Sequence, residues 1–153
     1  SESGDPPVEV TTSPKGVTIG ISSDISFESG SAITKPGFLD ILKKIVPTID
    51  ESYFMIAVEG HTDSDPLPKN LREKYPSNWE LSGARAAAVV RLLIDLKVDP
   101  VRLQSVGYGE FVPRDKNTAE IITADLIQKY NSTPQQKSRN RRVEITFLAP
   151  NEL

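Results

Sequence analysis

The chain has 153 residues, about the length of one domain, with 37% hydrophobic and 25% charged residues, the balance of a soluble globular protein. Its net charge of −3 argues against a nucleic-acid footprint, and the short basic cluster of Arg139, Arg141 and Arg142 does not restore one. The absence of cysteine excludes disulfides, cysteine-based zinc sites and thiol catalysis. No apolar run approaches ~20 residues, so no membrane-spanning helix is predicted. Ser1 to Pro14 is polar and lacks the apolar core of a signal peptide. With Ser rather than Met at position 1, the chain reads as a fragment whose membrane tether, if any, lies outside it.

In chain order, "SESGDPPVEVTTSPKG" (1–16) reads as a linker or loosely attached arm in which "VEV" is able to pair as a short strand. "GVTIGIS" alternates Val17, Ile19 and Ile21 with Thr18 and Gly20, a half-buried strand. "DISFESGSAIT" reads as a loop. "KPGFLDILKKIV" is a helix with Phe38, Leu39, Ile41, Leu42, Ile45 and Val46 on one face. Thr34 is placed to cap it, Pro36 fits its first turn, and Pro47 is expected to stop it.

"YFMIAVEG" reads as a buried strand. After a proline-bearing loop comes the clearest helix, "SNWELSGARAAAVVRLLIDLKV". Ser77 and Glu80 form an S-x-x-E capping box, and Leu81, Ala84, Ala88, Leu92 and Leu96 form its expected apolar stripe. A strand follows around Leu103 to Val106. Thr118 to Tyr130 has helical spacing and ends at the breaker "NSTP"; "RRVEITFLA" is a final alternating strand. The order β-α-β-α-β-(α)-β predicts an α/β fold, a two-layer sandwich with helices on one face of a mixed sheet. The expected division is an arm over 1–16, a domain over 17–148 and a tail over 149–153.

Asp63 lies just past the second of these strands. Asn78, Ser82 and Arg85 fall at i, i+4 and i+7 of the long helix, within a wedge of about 60°, with Leu81 flanking them. The helix start adds partial positive charge and free N–H groups. An acid facing such a surface makes a dipolar pocket suited to the zwitterionic head of an amino acid, the arginine holding a carboxylate bidentately. The simpler reading of the spacing is that Asp63 and Arg85 bridge one another.

Four ordered motifs, "VEGHTD", "N..LS..RA", "GYGE..P" and "NRRVEI", together with "F.SGSA" upstream, resemble the OmpA-like peptidoglycan-binding domain over most of the chain. "YPSNWELSGARAAAVVRLLI" and "GYGEFVP" are most similar to the periplasmic domain of flagellar stator subunits of the MotB/PomB type. The resemblance implies an OmpA-like α/β sandwich and a non-catalytic cell-wall anchor without cofactor. In it, Asp63 and Arg85 grip the amino and carboxylate groups of diaminopimelate in the peptide stem. Thr62, Asn78, Leu81 and Ser82 line that site, and Arg141 and Arg142 match positions near it; alternation of the last strand sends these two arginines to opposite faces without saying which meets the ligand. The implied setting is the periplasmic side of an inner-membrane protein. The implied partners are peptidoglycan, a MotA/PomA-type subunit reached through a membrane region outside this chain, a second copy of the chain and flagellar basal-body ring proteins. An anchor belonging to a porin, a lipoprotein or a secretion system is the alternative. The stretch between Gly109 and Asn140 is longer than the family pattern, and its extra helix is placed either to cover the pocket or to meet another protein.

"HTDSD" contains the single histidine, His61, too little for a metal site without further ligands at matching spacing. A Ser82–His61–Asp63 hydrolytic triad lacks the G-x-S-x-G elbow. Tyr108 and Trp79 are read first as packing residues and second as sugar platforms. The Ala86–Ala88 run is read first as close helix–sheet packing and second as an oligomer contact.

Overall fold

A computed structural model describes residues 6–117 and 119–150. Five strands form one mixed sheet in the order β1-β2-β5-β3-β4: β1 Val8–Ser13, β2 Gly16–Ser22, β3 Ile56–His61, β4 Leu103–Gly107 and β5 Arg142–Leu148. β3 and β4 run parallel; every other neighbouring pair is antiparallel. The helices are α1 Ser23–Ser26, α2 Pro36–Asp50, α3 Asn78–Asp95, α4 Ala124–Lys129 and α5 Pro134–Asn140. This is the expected mixed α/β sandwich, with a fifth strand. "VEV" does pair, and the strand runs on to Ser13 along the whole of β2. Residues 1–5 and 151–153, the outer parts of the expected arm and tail, lie outside the described residues.

The period-2 pattern sorts the sheet into two faces. One face carries the rows Ile21–Val143, Ile19–Ile145–Val58 and Val17–Phe147–Ile56. Most of these residues join Phe38, Leu42, Ile45 and Ile49 of α2 and Ala86, Val89 and Leu93 of α3 in a single core. The other face carries Ser22–Arg142–His61, Gly20–Glu144–Glu59 and Thr18–Thr146–Ala57, against which Val112, Pro113 and Arg114 are laid.

Several local expectations are corrected. Thr34 does not cap α2, because it is held in an antiparallel bridge to Phe27; Lys35 is the N-cap, without a side-chain bond. Pro36 does open the helix, but Pro47 does not close it. Pro47 forgoes one backbone bond, yet continuing to Asp50 buries Ile49 completely, and the Ile49 carbonyl accepts from Arg102 Nη1 at 2.9 Å. Tyr53 and Phe54 precede β3 and are exposed. The segment read as a loop after β2 begins with the single turn α1.

The stripe of α3 is rotated from its expected position. Ala86, Val89 and Leu93 are fully buried, whereas Ala84, Leu92 and Leu96 are only partly so; Leu81 and Ala88 are buried as expected. The cause lies in other segments. A Cβ at Gly60 would stand 2.2 Å from the Ser82 carbonyl oxygen, and one at Gly107 would stand 2.4 Å from the Gly83 nitrogen. Two glycines on adjacent strands therefore admit the helix backbone at Ser82–Gly83, and that approach fixes which face looks inward. The capping box is half as expected: Ser77 Oγ accepts from Trp79 N–H at 3.1 Å, while the Glu80 carboxylate accepts from the Ser77 hydroxyl rather than its backbone.

The helix expected over 118–130 is confined to α4, which starts after the Thr123 cap; Thr118 lies outside the described residues. The "NSTP" stretch ends α4 and also opens α5. Thr133 and Gln136 form a reciprocal capping box, with Pro134 in the first turn.

Candidate functional site

The C-terminal end of β3, the start of α3, α1 and the residue before β5 converge on a cleft of about 710 Å3. Thr62, Asp63, Asn78, Leu81, Arg85 and Arg141 line it, with Ser23, Asp24, Phe27 and Lys35 from the β2–α2 connection and Asp65 to Pro68 from the long loop. Six of the eight residues singled out from sequence are thus brought together. Ser82 and Arg142 are not. Ser82 Oγ is buried in the helix–sheet contact, donating to Trp79 O at 3.1 Å and accepting from Gly109 N at 2.9 Å. Arg142 lies on the far face of the sheet.

Each wall has a local cause. Asn78 donates from Nδ2 to the carbonyls of Asp63 (3.3 Å) and Asp65 (3.0 Å), tying the helix start to the loop beyond β3. Thr62 Oγ1 donates to Asp63 O at 2.8 Å, and Thr62 N–H to Gly109 O at 2.9 Å. The middle of the long loop, "SDPLPKNLREKYP", folds as a small second core: Leu67 and Tyr75 pack on Leu81, and Arg72 Nε donates to Leu67 O at 2.9 Å.

Asp63 and Arg85 do not bridge each other. Asp63 Oδ1 accepts from Asp65 N–H (2.9 Å), and Oδ2 accepts from Arg141 Nη1 (2.7 Å). Arg141 is also gripped by Asp24, which accepts from Nε at 2.9 Å and from Nη2 at 3.1 Å. Arg85 is 5% exposed; its Nε donates to Ser31 O at 2.8 Å and its guanidinium lies 5.1 Å over the Phe27 ring. Asp24, Arg141 and Asp63 together carry one net negative charge, Lys35 Nζ donates to Asp24 O at 2.7 Å, and Arg85 is a positive group bonded to neither aspartate.

The titrations follow this layout. Burial lowers Arg85 to about 10; Asp24 and Asp63 work against the shift and Arg141 adds to it, and the group stays charged at neutral pH. Burial opposes ionisation of Asp24, but hydrogen bonding and charge from Arg141, with a hydrogen bond from Ser138, outweigh it and hold its carboxyl below the usual range. Burial likewise works against the charge on Arg141, and the two aspartates more than reverse it.

The α4–α5 segment braces this site from outside. Asn131 Oδ1 accepts from Ser64 N–H at 3.1 Å, Lys137 Nζ lies 3.1 Å from Asp65 Oδ1, and Ser138 Oγ donates to Asp24 Oδ2 at 3.1 Å. Asp24, Ser23 and the bracing residues carried no sequence signal. Asp24 meets Arg141 across 117 residues, a contact that only the tertiary fold creates.

His61 points away from the cleft. It is 1% exposed, stacks on Tyr108 with ring centroids 5.3 Å apart, and has Nε2 at 3.5 Å from Glu59 Oε1, too far for an aligned hydrogen bond. Burial lowers its pKa first, and Arg142 second. His61, Ser82 and Asp63 are not assembled as a triad. His61 clusters instead with Glu59 and Glu144, whose charges are met by Lys15 Nζ (3.4 Å from Glu59) and Arg142 Nε (2.5 Å from Glu144). Trp79 is half exposed and stacks on Phe111 at 5.0 Å.

The motifs over this cleft have known counterparts. A model of the OmpA family matches residues 26–125, and the chain belongs to that family. It is 30% identical to Motility protein B of Bacillus subtilis over 143 residues, 92% of this chain and 48% of that protein. Among solved structures it resembles the periplasmic domain of Helicobacter pylori MotB (TM-score 0.75, 25% identity, 94% of this chain and 82% of that one). It also resembles the cell wall anchor of the T6SS from Pseudomonas aeruginosa (TM-score 0.76, 30% identity, 94% and 88%). The chain spans about half the length of the curated relatives it matches.

Proposed function

We propose that this domain is a non-catalytic anchor that binds peptidoglycan by the diaminopimelate of its peptide stem. One observation carries the reading: Asp63 and Arg85 line one cleft without pairing with each other, leaving a negative pole for an ammonium and a positive pole for a carboxylate. Thr62, Asn78 and Leu81 shape the space between. Arg141 lies at the negative pole, and Ser82 and Arg142 act as supports rather than contacts. Incubation with purified sacculi tests this. The parent domain should co-sediment without releasing soluble fragments, and Asp63→Asn and Arg85→Ala should each remain folded and stay in the supernatant. Release of muropeptides points to a hydrolase, and co-sedimentation of both variants like the parent refutes the site.

The finer reading is a flagellar stator subunit of the MotB/PomB type, supported by the motility relatives. In that reading the periplasmic domain reaches the wall from an inner-membrane helix outside this chain, through the arm that leads into β1. It works as a homodimer with a MotA/PomA-type subunit, near the basal-body rings. The likeness to a T6SS cell wall anchor favours a second reading, an anchor in a secretion system. A single membrane helix bearing one aspartate ahead of this domain in the full-length gene decides for the stator.

A further inference from the structure

The stretch "SSDIS" puts three serines around one turn, and the fold treats them differently. Ser22 Oγ accepts the Asp24 N–H at 3.2 Å and caps α1. Ser26 Oγ donates to Ser22 O at 2.7 Å. Ser23 Oγ, at 2% exposure, has no hydrogen-bond partner among the described residues. Its backbone N–H is committed to Arg141 O at 2.9 Å, which ties this turn to the arginine that links Asp24 to Asp63. A buried hydroxyl without a partner lowers stability relative to alanine. Ser23 lines the cleft, beside Asp24.

We infer that Ser23 is a ligand-contacting residue whose hydroxyl oxygen accepts an N–H from the ammonium of the bound diamino acid, beside the charge of Asp63. The inference rests on the ligand reading above. The hydrogen-bond connections select the ammonium over the carboxylate. The Ser23 N–H is bonded to Arg141 O and Arg141 Nη1 to Asp63, which sets this turn with the Asp63 pole; Lys35, whose Nζ donates to Asp24 O at 2.7 Å, balances the charge of Asp24, and Arg85 Nε is committed to Ser31 O. A hydroxyl adds an acceptor there without a further charge. Asp24 has a positioning role. It holds Arg141 through two nitrogens, whereas Asp63 holds it through one, so the Asp63 contact is the one that yields to an incoming ammonium.

The test is calorimetric titration of the whole domain with the stem tripeptide L-alanyl-γ-D-glutamyl-meso-diaminopimelate, paired with thermal unfolding without ligand. Ser23→Ala should lose about tenfold in affinity and unfold at the same or a higher temperature than the parent. A structural serine would move the two readouts together, so a variant that is both weaker in binding and less stable overturns the inference. Affinity equal to the parent in Ser23→Ala, with binding lost in Asp63→Asn, overturns it while leaving the ligand site standing. Parent-like affinity in both variants removes the site and the inference with it.

Discussion

Two clusters, each with two carboxylates and one arginine, flank the start of β5 on opposite faces of the sheet, and they are built to different ends. In the cleft, Arg141 is about a quarter exposed at its side chain and is shared between Asp24 and Asp63, both of which line the open space beside Lys35. Behind the sheet, Glu59 and Glu144 face one another across β3 and β5, a like-charge pairing that is costly in itself. Arg142, whose side chain is 4% exposed, and Lys15 neutralise that pair. Arg142 also donates to Asn140 O (3.0 Å) and Val112 O (3.0 Å), pinning the loop laid across this face. Adjacent arginines in the sequence thus serve a binding site and a structural core. The difference lies in burial and in what the donors hold: Arg141 spends its three nitrogens on cleft carboxylates, and the more deeply buried Arg142 divides its own between one carboxylate and two carbonyls.

Substitution separates the two clusters. Arg142→Ala leaves Glu144 without its buried partner and should cost about 3–5 kcal/mol in urea unfolding. Arg141→Ala removes a partly solvated link and should cost about 1 kcal/mol, after the discount for solvent screening. Equal losses in the two variants would erase the distinction. A smaller effect comes from pH. His61 has a lowered folded pKa, so its contribution to stability is present above the unfolded value near 6.5 and is lost as pH falls below it. Glu59, Glu144 and Asp24 are also held below their ordinary range, and their contribution is lost at lower pH, beneath about 4.5. The unfolding temperature should therefore decline between pH 7 and 5, and His61→Gln should flatten that part of the profile alone. A decline that persists unchanged in this variant assigns it to other groups.

The cleft was legible in part because its ingredients are local. Asn78 and Arg85 follow from helical phase with Leu81 flanking them, Ser82 of the same wedge is instead spent in the helix–sheet contact, and Asp63 follows from its place at the end of an apolar strand. Alternation separated Arg141 from Arg142, but only the register that sets Val143 opposite Ile21 in the core sends Arg142 to the rear. Asp24 was illegible, since nothing in "SSDIS" records a partner 117 residues away. The inward face of α3 was misjudged because glycines on β3 and β4, not the helix's own sequence, decide it. The α5 start was a different kind of miss: "TPQQ" carries the same S/T-x-x-E/Q pattern as "SNWE" and was passed over as a breaker.

The central claim is that Asp63 and Arg85 are separate poles for one zwitterion. Calorimetric titration of the stem tripeptide into the parent, Asp63→Asn and Arg85→Ala tests it most directly, alongside unfolding of each variant. The expected result is a loss of affinity of about tenfold to a hundredfold in each variant, from one charge-assisted hydrogen bond, with Asp63→Asn unfolding close to the parent. Parent-like affinity in both folded variants would contradict the claim.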